Sequence, residues 1–168
     1  MTPYQLAKDS ESSQQQALFC YVNKAIQVGF VSAKVESYYK DYKRMPDAVD
    51  MVPELAWYHA IPNGGSRGDT ARSRAIEGGR MKAEGVRPGV LDTFWPLVRM
   101  GKGDKLMPYC GLYIELKKPA LKQDKNPTNG LSDEQRNFGQ FCIDQGYCCE
   151  AAYSWLEAAA ILEWYYSL

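Results

Sequence analysis

The segment that most constrains the fold runs from Gly111 to Pro119, with the sequence Gly-Leu-Tyr-Ile-Glu-Leu-Lys-Lys-Pro. Its alternation of apolar and polar residues predicts a β-strand, which Pro119 ends because proline cannot continue a hydrogen-bonded ladder. Successive side chains on a strand point to opposite faces, so Glu115 and Lys117 share one face while Ile114 and the two leucines occupy the other. A carboxylate and an amine therefore stand side by side.

A second carboxylate is expected next to this pair. Residues 90–94 predict a neighbouring strand, and its pairing with the first would bring Asp92 near Glu115. Mg²⁺ prefers oxygen ligands and needs few protein groups, so two carboxylates and the backbone carbonyl of Leu116 suffice to hold it. Lys117 would hold or help to deprotonate a water, stabilise a phosphate oxygen and keep both acids ionised. The alternative is a solvated ion pair, since surface strands often carry opposite charges two residues apart.

Length and composition fit one domain with one core. The chain has 168 residues, of which 45% are hydrophobic and 24% charged. It contains no apolar run of the roughly 18 residues that a membrane span needs, and its first residues lack the apolar segment of a signal peptide. We therefore expect a cytoplasmic protein without membrane contact. The five cysteines include no Cys-x-x-Cys pair, which favours free thiols over a zinc site or a disulfide framework.

Charge is unevenly distributed although the formal net charge is zero. Residues 67–125 carry thirteen Lys and Arg against seven Asp and Glu, whereas residues 137–168 carry four acids and no Lys or Arg. A basic middle around Asp92 and Glu115 favours a nucleic-acid partner; the alternative is a scatter of solvated charges. The residues expected to contact nucleic acid are Asn63, Arg67, Arg72, Arg74, Lys82 and Lys118.

Periodicity and turn residues predict an α/β protein built around a mixed sheet. We expect residues 1–8 to fray, and residues 30–54 to form one or two short helices. The remaining predictions are a helix over 10–28 ended by Gly29, a buried strand over 55–60, a helix over 68–84, a flexible connection over 99–108, a helix over 132–145 with Phe138 and Phe141 on one side, a strand over 147–152 and a final helix capped by Ser154.

Three polar residues can each be explained by a structural role, and for Gln135 that explanation is complete. Ser132 followed by Gln135 matches a capping box at the start of a helix. Glu11 lies in the first turn of the first long helix, where an acid favours the helix dipole. His59 is the single histidine of the chain. With no catalytic partner apparent near it, we expect it to be packed or hydrogen-bonded.

Five segments together resemble the successive motifs of the VRR-NUC family, a branch of the PD-(D/E)XK nucleases, in its compact stand-alone form found in phages and prophages. The likeness covers most of the chain in order and spacing, apart from residues 30–54 and 120–130. Where the family usually has Pro-Asp, this chain has Leu91-Asp92. The segments are Ala60-Ile-Pro-Asn-Gly-Gly65, Met81-Lys-Ala-Glu-Gly-Val86, Pro88-Gly-Val-Leu-Asp92, residues 111–119 and Leu131-Ser-Asp-Glu-Gln135.

This resemblance implies a restriction-endonuclease-like αβββαβ core with a mixed sheet flanked by helices. It implies one nuclease domain over residues 1–168, with 30–54 as a helical insertion. By position it makes Asp92 and Glu115 the metal acids, Lys117 the catalytic lysine and Gln135 the motif glutamine. It also implies an acid from the first helix, for which Glu11 is the candidate; residues 14–16, all glutamine, could occupy that position instead.

The activity that the resemblance implies is Mg²⁺- or Mn²⁺-dependent endonucleolytic cleavage of DNA, leaving 5′-phosphate and 3′-hydroxyl ends. Similar stand-alone members are homodimers that cut branched DNA such as four-way (Holliday) junctions, so a homodimer acting on junctions or flaps is expected, in the host cytoplasm if the protein is phage-encoded. One alternative is a non-catalytic DNA-binding or packaging-accessory protein that keeps the fold. An RNA substrate is a further alternative, because phosphate contacts do not discriminate the sugar.

Overall fold

The computed structural model describes residues 2–38, 51–62, 70–101, 107–122, 128 and 130–168, with the Arg74 side chain excepted. These residues form five α-helices and six strands. The helices are α1 (Pro3–Leu6), α2 (Glu11–Tyr38), α3 (Ala71–Ala83), α4 (Asp133–Asp144) and α5 (Trp155–Tyr166). The strands are β1 (His59–Ala60), β2 (Thr93–Trp95), β3 (Arg99–Met100), β4 (Pro108–Tyr109), β5 (Leu112–Leu116) and β6 (Cys148–Ala152).

The central sheet is mixed, with strand order β1-β2-β5-β6. The pairs β1–β2 and β2–β5 are antiparallel, whereas β5 and β6 run parallel and are connected through α4. The strands β3 and β4 form a separate antiparallel pair. Taken in chain order, α2, β1, β2, β5, α4 and β6 give the predicted αβββαβ arrangement, which confirms the fold class.

The core lies on the face of the sheet that carries Leu112, Ile114 and Leu116, each of which is almost fully buried. Residues of α2 and α5 pack against this face, with Leu18 and Leu162 in the same cluster. The alternation that makes this face apolar places Tyr113, Glu115 and Lys117 on the opposite face. One face of β5 therefore packs into the hydrophobic core, and the opposite face carries the polar residues Glu115 and Lys117.

Four local predictions need correction. Residues 2–7 do not fray, because a Thr2–Gln5 capping box closes α1 and Pro3 is buried. The expected strand over 55–60 is mostly a 3₁₀ turn (Pro53–Trp57), and β1 keeps two residues. The ends of the expected flexible connection over 99–108 pair as β3 and β4. Phe141 is expected on one side of its helix with Phe138, but it is 62% exposed, and the buried residues of α4 are Gly139 and Cys142.

Other boundaries agree with the sequence. Gly29 takes φ 77° and ψ 167° and breaks α2, after which the helix resumes as far as Tyr38. Ser132 and Ser154 cap α4 and α5, as predicted. All five cysteines are free thiols, with Cys142 and Cys148 buried. Within the described residues, no helix combines the length and the apolar character required to cross a bilayer.

Candidate active site

Asp92 and Glu115 face each other across the β2–β5 pair. The register aligns Thr93 with Ile114, so the residue before β2 lies opposite Glu115. The backbone N–H of Asp92 donates to Glu115 Oε2 at 3.2 Å, and the N–H of Leu116 donates to Asp92 Oδ2 at 2.9 Å. Each carboxylate is thus held by the backbone of the other segment, which confirms the predicted proximity of the two acids.

Lys117 completes a cluster at the end of β5. Its Nζ lies 2.9 Å from Glu115 Oε1, and the residue is only 7% exposed. The backbone N–H of Lys117 donates to the carbonyl of Ala152 at 2.9 Å, which fixes the lysine where β5 ends against β6. A buried lysine beside a buried glutamate is different from the solvated ion pair that the sequence left open.

Gln135 reaches this cluster from the first turn of α4. Its Nε2 donates to Glu115 Oε1, and its Oε1 accepts from Lys117 Nζ at 2.9 Å. The same Oε1 accepts from the backbone N–H of Ser132 at 3.0 Å, as a capping box requires. The structural and the functional interpretation of Gln135 therefore both describe the same side chain.

Burial dominates the electrostatics of Glu115, which is 2% exposed. Desolvation, followed by repulsion from the Asp92 carboxylate, raises the pKa of Glu115 to about 7, although the hydrogen bond and charge of Lys117 act to lower it. Lys117 therefore offsets only part of the effects that favour the protonated form of Glu115, and its role in keeping both acids ionised stays a prediction. An additional cation beside the two carboxylates would favour the ionised form.

The donor set fits a hard divalent cation. Besides the two carboxylates, the backbone places the Leu116 carbonyl on the correct side: the Leu116 N–H points at Asp92, and in a strand the N–H and C=O of one residue point the same way. The described residues hold no group of three or more Asp, Glu, His or Cys placed to bind one metal ion. Two acids and a carbonyl suit Mg²⁺, which retains several waters.

The first-helix candidates, Glu11 and Gln14, lie at the start of α2. Glu11 opens α2 and is not grouped with Asp92 and Glu115 among the described residues. Gln14 is 5% exposed and spans two other segments: its Oε1 accepts from Trp155 N at 2.9 Å, and its Nε2 donates to the Lys8 carbonyl at 2.6 Å. Gln14 thus joins α2 to the start of α5, and a catalytic role for Glu11 stays a prediction.

The predicted nucleic-acid contacts are only partly within the described residues. Arg72 and Lys82 are exposed on α3, and Lys118 is exposed directly after the Lys117 position. Asn63 and Arg67 lie outside the described residues, as does the side chain of Arg74. His59 is hydrogen-bonded, as predicted, with Nδ1 2.8 Å from the Trp57 carbonyl.

Gly89 is a positioning residue that the sequence analysis did not single out. It has φ +85°, and a Cβ built there would lie 2.6 Å from the backbone C and O of Glu134. The loop that leads into Asp92 therefore packs directly on the first turn of α4, next to Gln135. A Pro-Gly pair such as Pro88-Gly89 is typical of a turn, but it does not indicate this contact with residues over forty positions away.

Fold and site together define a mixed-sheet α/β protein in which two carboxylates, a lysine and a glutamine meet at the ends of β2, β5 and α4. The chain is similar to a solved structure described as a "VRR_NUC domain protein", with 18% identity, a TM-score of 0.54 and coverage of 97% of this chain and 93% of that one. The likeness shows a VRR-NUC-like fold. No protein-family model matches the chain, and neither does any curated protein.

Proposed function

We propose that the protein is a Mg²⁺- or Mn²⁺-dependent deoxyribonuclease that hydrolyses phosphodiester bonds in branched DNA, such as four-way junctions or flaps. The observation that carries this proposal is the buried contact between Glu115, Lys117 and Gln135 beside Asp92. Burying a carboxylate and an amine, here Glu115 and Lys117, is costly unless the groups interact with one another or with a ligand. Their position on a VRR-NUC-like fold supports a nuclease.

The residues divide the chemistry as follows. Asp92, Glu115 and the Leu116 carbonyl would hold the ion, which when bound offsets phosphate charge and lowers the pKa of water. Lys117 is held by Glu115 and Gln135, so its ammonium group is oriented to contact a phosphate oxygen or the attacking water. Gln135 fixes the orientation of both Glu115 and Lys117. Arg72, Lys82 and Lys118 supply positive charge for the DNA backbone.

A cleavage panel tests this function. Purified protein would be incubated with end-labelled single strands, duplexes, flaps and four-way junctions, with Mg²⁺, with Mn²⁺ and with EDTA. We expect cleavage that depends on the metal and leaves 5′-phosphate ends. Asp92→Asn and Glu115→Gln should abolish it, whereas Glu36→Gln, which removes an acid paired with Lys24 on α2, should not. Wild-type cleavage rates in the Glu115→Gln protein would refute the mechanism.

A non-catalytic DNA-binding or packaging-accessory protein is the second candidate. It is favoured by one observation, that Glu11 does not join the two carboxylates in a three-acid group within the described residues. The same panel separates the candidates, because an accessory protein would bind branched DNA without yielding any EDTA-sensitive product. A ribonucleotide version of each substrate tests the RNA alternative. We also propose that the protein is a homodimer, which a measurement of its oligomeric state in solution tests. The proposed substrate implies that the protein acts in the cytoplasm of the producing or host cell.

A further inference from the structure

A cavity of about 260 Å³ opens beside the catalytic cluster, between α4 and the edge strand β6. Glu115 and Gln135 form one end of it. From there it follows α4 past Gly139 to Ile143, so its helix wall is a stripe of residues four apart, which lie on one face of a helix. The cavity is therefore continuous with the site proposed to bind the scissile phosphate.

Gly139 creates much of this space. It is buried in the middle of α4, yet a Cβ built there would meet no atom within 4 Å. Glycine in a helix interior costs about 1 kcal/mol relative to alanine, so Gly139 makes α4 less stable than alanine would at this position. A buried residue without a side chain and without a close neighbour marks volume that the fold leaves unfilled.

The lining matches a flat heterocycle with a polar edge. Leu91, Leu131 and Ile143 provide apolar walls, while Gln140 and Glu150 bring an amide and a carboxylate to the same space. The volume lies below the range of about 300–1,000 Å³ that is usual for drug-sized ligands, so one ring system fits better than a dinucleotide. No aromatic side chain belongs to the described lining.

We propose that this cavity receives one nucleobase of the substrate strand, turned out of its stack beside the phosphate that is cut. The inference rests on the proposed nuclease function and specifies its substrate. A base and its phosphate are separated by one sugar, so a phosphate at Asp92 and Glu115 brings a base within reach of the adjoining cavity. Extrusion costs least for an unpaired nucleotide, which gives a physical reason for a preference for flaps and junctions.

Filling the cavity tests the inference. Gly139→Met adds an unbranched side chain with high helix propensity, where a Cβ meets nothing. The control is Gly79→Met in α3, where a Cβ also meets nothing within 4 Å. Each protein would be assayed on two substrates, one with a normal nucleotide and one with an abasic nucleotide next to the cut.

We expect the abasic substrate to lower wild-type kcat/KM by on the order of 10-fold, because no base then fills the cavity. On the normal substrate, Gly139→Met should lower kcat/KM by a similar factor. On the abasic substrate, its kcat/KM should be close to that of the wild type, because the substitution and the missing base remove the same interaction. Gly79→Met should behave as wild type. Independent losses that multiply, or no loss in either case, would overturn the inference while leaving the nuclease function intact.

A binding measurement separates failure of the pocket from failure of catalysis. A flap with 2-aminopurine next to the cut would be titrated with protein in metal-free buffer, where no cleavage occurs. Fluorescence should rise with wild type and Gly79→Met, since an extruded base leaves its stacked neighbours and meets no aromatic ring, but not with Gly139→Met. A rise without any metal-dependent cleavage would keep the pocket and reject the nuclease. Equal responses from all three proteins would reject the pocket.

Discussion

The ammonium group of Lys117 lies 2.9 Å from Gln135 Oε1, and the lysine Nζ and Gln135 Nε2 both contact the same oxygen of Glu115, Oε1. This relationship joins the end of a central strand to the first turn of a helix. The lysine is consequently held in place from two sides by groups that are themselves anchored in regular structure. Catalytic groups need such support because small displacements from the productive geometry are costly.

Gln135 should matter for activity beyond its role as a cap. Gln135→Ala removes the hydrogen bonds to Glu115, Lys117 and Ser132, so we expect about 10- to 100-fold lower cleavage, as for other residues that orient metal ligands. Ser132→Ala is the matched control, because it removes the capping hydroxyl but leaves the Gln135 side chain. In both variants the free energy of unfolding, measured by urea titration, should fall by about 1 kcal/mol. Equal loss of activity in the two variants would reduce Gln135 to a capping residue.

Lys117 should be required for cleavage while an exposed lysine nearby is not. Lys117→Ala leaves the buried Glu115 beside Asp92 without the ammonium group, so we expect loss of detectable Mg²⁺-dependent cleavage and a further rise in the pKa of Glu115. Lys122→Ala removes a lysine that pairs with Glu157 at the surface and should retain activity. Circular dichroism would verify that both variants are folded. Activity of Lys117→Ala at the Lys122→Ala level would contradict the proposed role.

Stability of the metal-free protein should fall as pH rises. The pKa of Glu115 is raised from 4.5 to about 7, so between these values the folded state binds more protons than the unfolded state. Linkage then requires the free energy of unfolding to decrease with increasing pH, by on the order of 3 kcal/mol in total from this group. Urea titrations at pH 5 and pH 8 would measure it, and Glu115→Gln should reduce the difference. A wild-type protein as stable at pH 8 as at pH 5, or the same pH difference in Glu115→Gln, would contradict the prediction.

Gly89 should tolerate alanine worse than Gly85 does. Both have positive φ, so alanine costs about 1–2 kcal/mol at either position. Only at Gly89 would the added Cβ meet backbone atoms, those of Glu134, and we expect about 3 kcal/mol or more of destabilisation there. The same change should lower cleavage, since it pushes the Asp92 loop away from α4. Equal unfolding midpoints for Gly89→Ala and Gly85→Ala would refute this packing.

The basic residues on α3 should contribute to affinity without sequence preference. Arg72→Ala and Lys82→Ala are each expected to weaken duplex binding and to reduce the magnitude of the salt slope by about one unit for each phosphate that is no longer neutralised. Arg80→Ala is the comparison, because Arg80 is already paired with Glu77 and Glu84. Binding isotherms between low and moderate salt would measure the slopes. A larger effect for Arg80 than for Arg72 and Lys82 would contradict the assignment.

Local patterns were sufficient to predict the parts of the site that lie on regular structure. Strand alternation put Glu115 and Lys117 on one face, and the capping box fixed the position of Gln135 on its helix. Pairing of adjacent strands then placed Asp92. Each of these relationships depends on periodicity or on neighbouring segments, which a sequence records directly.

Relationships between distant segments were not predictable in the same way. The hydrogen bond of Gln14 with Trp155 joins residues 141 positions apart, and nothing in either local sequence indicates it. The burial of Glu115 likewise depends on how the surrounding elements pack, so the rise in the pKa of this carboxyl group could not be foreseen. Gly139 could be recognised as an unfavourable helix residue, but the empty space beside it became visible only with the packing.

The shared oxygen of Gln135 has one further consequence. That atom accepts hydrogen bonds both from the Ser132 N–H at the start of α4 and from the ammonium group of Lys117. Formation of the first turn of α4 and positioning of Lys117 are therefore coupled. Thermal fraying of that turn would therefore release the Lys117 ammonium group from Gln135 while the remainder of the molecule is still folded.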